Sequence, residues 1–487
     1  MFWLTVAVVL GTSSAIEIKD TLVYPKLIES RSDTGEHVLK LTDTLTLNLR
    51  PSNVLADNIE YAEDDLVEEM DTENLRKNLL VDPRQMSSVL LHDTEGGLKV
   101  EGILHNSYFI RPTRLAARSS DGQDAHLISR ISGTSTLLPN YASEIPENYE
   151  SVPDIESRTS DCKEGEEPPE DITFEVYVIS DKEHQKYFPK RRCLIMYTAL
   201  LFNSVNYYLR SMTKPRVQLR ITGVRRIRGR ESNYLKTVDA ALDGNVTLHT
   251  LKERSKTLNL GRKADLALLL TGRNIAPDEK RKNQDYLHGL AFANGLCTEN
   301  FVAVSTDNPP GFYRGTAPAF RVLGFLLGSR PKGGKNPAKG KTDACSRTES
   351  DKVIFANYTR ATYKFSKCNE KLVRETIKEK GCSCWAVNTR LTVGRSYTYY
   401  PGQNLTREKY CKRKFAHEAT NVYVDQKDAD KCKVTCCLGQ TANTAPSCYT
   451  APAVDGMSCK DNKMCLGGKC TLPPQGSRTP GKTEQPQ

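Results

Sequence analysis

The chain of 487 residues is poor in histidine. Its eight are His37, His92, His105, His126, His184, His249, His288 and His417, and none falls from 289 to 416. A zinc helix of the form His-Glu-x-x-His places two imidazoles at i and i+4 on one face, with the glutamate as general base. No such motif exists here. HEAT at 417–420 begins one, but Asn421 stands where the second histidine belongs, inside a cysteine-dense segment, so the match reads as chance. No run of about 20 apolar residues occurs, which argues against a membrane anchor. The basic runs lack the interleaved aromatics that would point to nucleic acid.

What the chain does contain starts with MFWLTVAVVLGTSSA (1–15), apolar and then small, with charged IEIKD directly after it. That is the pattern of a secretory signal peptide cleaved after Ala15, and secretion is the expected location. Fifteen cysteines suit an oxidising compartment, and eight of them lie between Cys411 and Cys470, so a small disulfide-stapled module is expected there. Their odd number leaves one thiol free, paired with another chain, or lost with a cleaved piece. Sequons at Asn245, Asn357 and Asn404 are candidate glycosylation sites.

Net charge is +10, but residues 1–170 hold 15 Lys+Arg against 31 Asp+Glu, while the rest holds 54 against 28. An acidic segment shielding a basic one is the usual charge logic of a pro-segment, and two domains that merely differ in charge is the alternative. Residues 16–132 carry strand-like runs and the acidic patch YAEDDLVEEMDTE. Residues 133–171 turn to Pro, Ser and Glu and read as an exposed acidic linker. From 172 a strand–helix alternation begins. Strands are expected at 172–180, 216–227, 264–272 and 301–307, and long helices at 193–212, 311–329 and 371–380. The 193–212 helix has an apolar residue every three to four positions and reads as amphipathic. The tail 474–487 is too polar to fold.

This order of parts resembles the reprolysin (adamalysin-type) family of secreted zinc metalloproteases, in particular the tick salivary members. VYPKLIESRSDTGEHVLKLTDTLTLNLRPS looks like that family's prodomain, DYLHGLAFANGLCTENFVAVSTDN (285–308) like its GLA-x-x-x-x-LC segment and edge strand, and YKFSKC (363–368) like its YxFSxC. KCKVTCCLG and AVDGMSCKDNKMCLGGKC resemble the cysteine-rich module of the thrombospondin-repeat branch. The resemblance implies a multidomain chain: a β-rich prodomain, an α/β metzincin-like sandwich domain at 172–392, and a cysteine-rich module at 393–473. It also implies the pairs Cys297–Cys384 and Cys345–Cys368.

The family writes His-Glu-x-x-His-x-x-Gly-x-x-His-Asp across its site helix and the turn after it. Placing that glycine on Gly328, in AFRVLGFLLGSRPKGG (319–334), puts Arg321, Val322, Phe325 and Pro331 where three ligands and the base belong. Lys332 replaces the aspartate, and Phe355 takes the place of the Met-turn methionine. A guanidinium, a phenyl ring and an imino acid ligate no zinc, so the expectation is a pseudoprotease with no cofactor, where active relatives hold Zn. The resemblance further implies a role against host haemostatic, matrix or anionic cell-surface ligands. An active zinc metalloendopeptidase acting on fibrinogen or matrix proteins is the alternative, and a decoy for inhibitors of active relatives is a third.

Two basic clusters are candidate polyanion sites, for glycosaminoglycan or an anionic membrane surface. One is Lys332, Lys335, Lys339 and Lys341, with Arg330, in the loop 330–341; the other is Arg225, Arg226, Arg228 and Arg230, where alternation would put the last three on one face. A solvated basic surface is the plainer account of both. Cys162, in the linker, either leaves with the pro-segment or bridges to Cys193. No RxKR-type cleavage site lies in the linker, and RPTR (111–114) is a weak match upstream.

Overall fold

The computed structural model describes residues 20–31, 35–94, 97–113, 119, 122–131, 143–144, 167–276, 286–329, 365, 367–385, 400, 402–403, 405–416, 421–439, 446–460 and 462–473. The segments 1–15 and 474–487 and most of the linker lie outside them.

The N-terminal region folds as a nine-stranded sheet whose middle is a meander from Thr46–Pro51 through Leu79–Asp82, Ser87–Thr94, Gly97–Leu104 and Tyr108–Pro112 to His126–Arg130. Period-two burial is plain in Gly97–Leu104: Leu98 and Val100 point inward, Lys99 and Glu101 outward. Leu39, Leu47, Leu49, Leu80, Val89, Val100 and Ile110 close its core.

An eight-stranded sheet follows. Its order is Ser143–Glu144, Gly289–Phe292, Val302–Thr306, Leu266–Thr271, Asp171–Ser180, Arg216–Arg226, Leu55–Glu63 and Leu66–Asp71. The central strands run parallel and are buried on both faces, which is why Leu266–Thr271 reads LALLLT without alternation. The expected α/β elements are present within a few residues of their expected ends. Two features differ from expectation. Residues 55–71, placed from sequence in the N-terminal unit and including most of its acidic patch, form strands Leu55–Glu63 and Leu66–Asp71 of this sheet, the first parallel to Arg216–Arg226. Helix Arg191–Leu209 is also not amphipathic in place: every residue from Leu194 to Leu209 except Asn206 is buried. Its outer face meets the N-terminal unit, with Asn203 held between Ser52 and Ser88 at 2.8 Å each and Tyr207 donating to Ser87 O at 2.7 Å.

Helix Gly244–Thr257, not anticipated from sequence, begins at Asp243, whose carboxylate accepts the Val246 N–H at 3.0 Å. Asn245 sits half-buried in its first turn. The C-terminal module packs helix Arg407–Lys414 and two three-stranded sheets around Cys411–Cys436, Cys432–Cys465, Cys437–Cys448 and Cys459–Cys470. Cys297–Cys384 forms as the resemblance implied. Cys368 is disulfide-bonded, and its expected partner Cys345 lies outside the described residues. Cys193 is exposed and carries a free thiol, so the Cys162–Cys193 bridge is not made. No described helix is long and apolar enough to cross a membrane.

Candidate functional site

The site helix, Thr316–Leu326, ends as its sequence dictates. Gly328 takes φ +99°, Ser329 N–H bonds back to Gly324 O at 2.8 Å and Gly328 N–H to Phe325 O at 3.0 Å, a Schellman closure. A side chain at Gly328 would also collide with Thr376 of helix Lys367–Lys380. A glycine is required there on both counts.

Ahead of the helix, Asp307 holds the entry loop. One carboxylate oxygen accepts the Gly315 N–H at 2.7 Å; the other accepts the Tyr197 hydroxyl at 2.6 Å and faces His184 Nε2 at 3.2 Å. His184 Nδ1 lies 2.7 Å from Ser180 Oγ, and the Tyr197 and Tyr313 rings stack at 4.5 Å. Ser180, His184 and Asp307 thus form a hydroxyl–imidazole–carboxylate chain. All three are fully buried, so no substrate reaches the hydroxyl, and the chain serves as a strut under the site helix. Burial, then the Asp307 charge, pushes the Tyr197 hydroxyl well above its usual range and keeps it a donor. Sequence gave no signal for this network beyond the bare residue types.

On the helix itself, Val322 is wholly buried and packs against Gly289 of the edge strand Gly289–Phe292: a Cβ placed on Gly289 would lie 2.5 Å from Val322 Cγ1. Phe325 is buried in the main apolar core with Leu323, Ala291 and Leu296. Arg321 is 9% exposed and lies close to His288, whose pKa is lowered first by burial and then by the Arg321 charge. The His288 imidazole is therefore held neutral beside a fixed cation. These side chains do not fit a zinc ion: Val322 and Phe325 offer no donor atom, and the Arg321 guanidinium repels a metal. The described residues do bring three metal-binding side chains together elsewhere, Cys432, Cys459 and Cys465, but all three sulfurs are in disulfides. Pro331, Lys332, Phe355 and His417 lie outside the described residues.

The basic clusters fare unequally. Strand Arg216–Arg226 ends before Arg228, so alternation does not extend across the cluster. Arg225 and Arg226 are 4% and 3% exposed. Arg225 makes a two-pronged bond to Glu231, at 2.6 and 3.2 Å. Arg226 donates to Gln185 Oε1 and Phe188 O, both at 2.8 Å. Arg228 is half-exposed and paired with Glu63 at 2.7 Å. Arg225 and Arg226 are therefore internal struts and not part of an open polyanion surface, Arg228 is exposed but paired, and the side chain of Arg230 is not among those described. The loop cluster Lys332, Lys335, Lys339 and Lys341, like sequons Asn357 and Asn404, falls outside the described residues.

One cavity, of about 230 Å³, lies where the N-terminal sheet meets the C-terminal module, lined by Glu36, Arg50, Asp82, Arg84, Tyr400 and Asp455 among others. Its acids are engaged: Asp82 accepts the N–H groups of Asn48, Arg84 and Gln85, and Asp455 accepts Arg84 at 3.1 Å. It is a joint between parts of the chain.

The chain is similar to scorpion venom metalloproteinases. It is 25% identical over 397 residues to antarease TserMP_A of Tityus serrulatus, covering 77% of this chain and 95% of that protein. It is 23% identical over 397 residues to the antarease-like TtrivMP_A of Tityus trivittatus, with the same coverage. This similarity supports kinship with metalloproteases. No family model matches the chain. Metalloproteinase-II from Bacteroides fragilis aligns over 74% of this chain and 93% of that chain at 11% identity, with a TM-score of 0.35, too loose a likeness to argue from.

Proposed function

We propose that this chain is a secreted, catalytically silent relative of the reprolysin-type metalloproteases that acts by binding extracellular ligands. The observation that carries the proposal is the packing at the site helix. Val322, at the base position of the aligned motif, is buried against Gly289; Phe325, at a ligand position, lies in the core; Arg321, at the other, sets a permanent cation beside His288. A scaffold kept intact while its chemistry is replaced by close packing is suited to recognition rather than turnover. The ligands expected are host haemostatic or matrix proteins or anionic glycans, with the cationic loop 330–341, which follows the helix directly, as the contact. Secretion is supported by the apolar N-terminus, the five described disulfides and the venom relatives.

Similarity to venom metalloproteinases over nearly their whole length favours a second reading, an active zinc endopeptidase. One experiment separates the two. Metal analysis of the purified protein, with casein, gelatin and fibrinogen digestion alongside, is expected to find no stoichiometric zinc and no cleavage. One zinc per chain with chelator-sensitive proteolysis establishes the second reading instead.

A further inference from the structure

We propose that residues 20–131 are a permanent part of the fold, so that a chain cut in the linker stays together as a non-covalent two-fragment protein. The segment an acidic pro-region would discard supplies two strands of the eight-stranded sheet. Leu55–Glu63 lies between Arg216–Arg226 and its own hairpin partner Leu66–Asp71, in register from Gly223 opposite Glu60 to Arg226 opposite Glu63. Its loss would leave Arg216–Arg226 as a bare edge with unpaired backbone N–H and C=O groups.

The side chains tell the same story. Val54, Leu55, Ile59 and Tyr61 share one apolar cluster with Phe202, Val205 and Leu209 of the helix and Val224 of the strand. Glu60 accepts the Tyr177 hydroxyl at 2.7 Å and pairs with Lys263 at 2.6 Å. Removing the N-terminal region would expose a helix that is buried nearly all round and orphan the Tyr177, Asn203 and Tyr207 donors, which is costly for groups buried in the native state. A shared sheet and a shared apolar cluster are the marks of one folding unit, whereas separable domains each have a core of their own.

The same region also seats the C-terminal module. Ile28 and Val38 enter the module's core beside Tyr410 and Phe415. Arg413 pairs with Glu29, Lys40 donates to Lys414 O at 3.0 Å, and Arg84 reaches Ala453 O and Asp455 at 3.0 and 3.1 Å. The N-terminal unit therefore clasps the α/β domain on one side and the module on the other. No cysteine precedes Cys162, so a cut before that residue leaves an N-terminal fragment with no disulfide to hold it. Retention must come from the sheet, the shared core and the buried hydrogen bonds.

The inference stands apart from the question of catalysis. To test it, residues 145–150 of the full chain are replaced by the recognition sequence of a site-specific protease. The purified protein is then cut, diluted to nanomolar concentration in reducing agent that spares the buried disulfides, and followed by size-exclusion chromatography and native mass spectrometry. The expected result is one peak holding both fragments in equal number, separating only at the denaturant concentration that unfolds the whole. Isotope-labelled N-terminal fragment added to the cut protein should not exchange in over hours. Release of the N-terminal fragment in native buffer, whether the remainder stays folded or precipitates, overturns the proposal, as does rapid exchange.

Discussion

Val322 and Gly289 touch across the site helix and the edge strand so closely that no side chain fits on the glycine. A Cβ there would meet Val322 Cγ1 at 2.5 Å and Val304 O at 2.9 Å. At this crossing the side of Val322 lies against the bare backbone of the edge strand. The contact makes the site region part of the structural core.

Gly289→Ala is therefore expected to destabilise the protein by about 2 kcal/mol, as overpacking does. Adding Val322→Ala should return part of that loss and not all, because the Val304 carbonyl remains in the way. Val322→Glu should destabilise more than Gly289→Ala, since it buries an unpaired carboxylate, and should confer no proteolysis. Urea unfolding midpoints of the parent protein and these three variants decide this; full tolerance of Gly289→Ala would mean the contact is slack.

Glu231 gives a pH signature. Burial raises its pKa, but the hydrogen bonds and charges of Arg225 and Arg254 outweigh that and hold it below the usual glutamate value. A depressed folded pKa contributes stability above the unfolded value, about 4.3, and that contribution fades as pH falls through the folded one. Glu231→Gln should thus cost about 3 kcal/mol at pH 7, because it leaves Arg225 buried without its counter-ion. The gap from the parent protein should narrow below about pH 4. Unfolding midpoints at pH 7, 5 and 3 check it, and a gap unchanged at pH 3 would refute the linkage.

Polyanion binding should depend on the loop and not on the strand. Changing Lys332, Lys335, Lys339 and Lys341 to Ala should move heparin-column elution to clearly lower salt, each exposed contact being worth about 1 kcal/mol at low salt. Arg228→Ala should shift elution little, because Glu63 already pairs with that side chain. Arg225→Ala should lower stability instead of affinity, since its guanidinium is an internal strut. Unchanged elution of the lysine variant would reduce the loop to a solvated surface.

Much of this protein is written locally. The alternation of strands and helices, the glycine that stops the site helix, the absence of histidine from 289 to 416, and the eight-cysteine module are all legible from period, caps and side-chain chemistry within short windows. Those determinants act over a few residues, so they survive without knowledge of the fold. Tertiary structure alone decided that Leu55–Glu63 joins the second sheet, that helix Arg191–Leu209 is covered on its outer face, and that two arginines of a basic run are buried. Each rests on partners far apart in the chain: Glu60 and Tyr177 are 117 residues apart, His184 and Asp307 123, Arg84 and Asp455 371. A charge or an apolar face in sequence states only what must be satisfied. Which distant group satisfies it is set when the sheets close and burial makes an unpaired group too costly to keep.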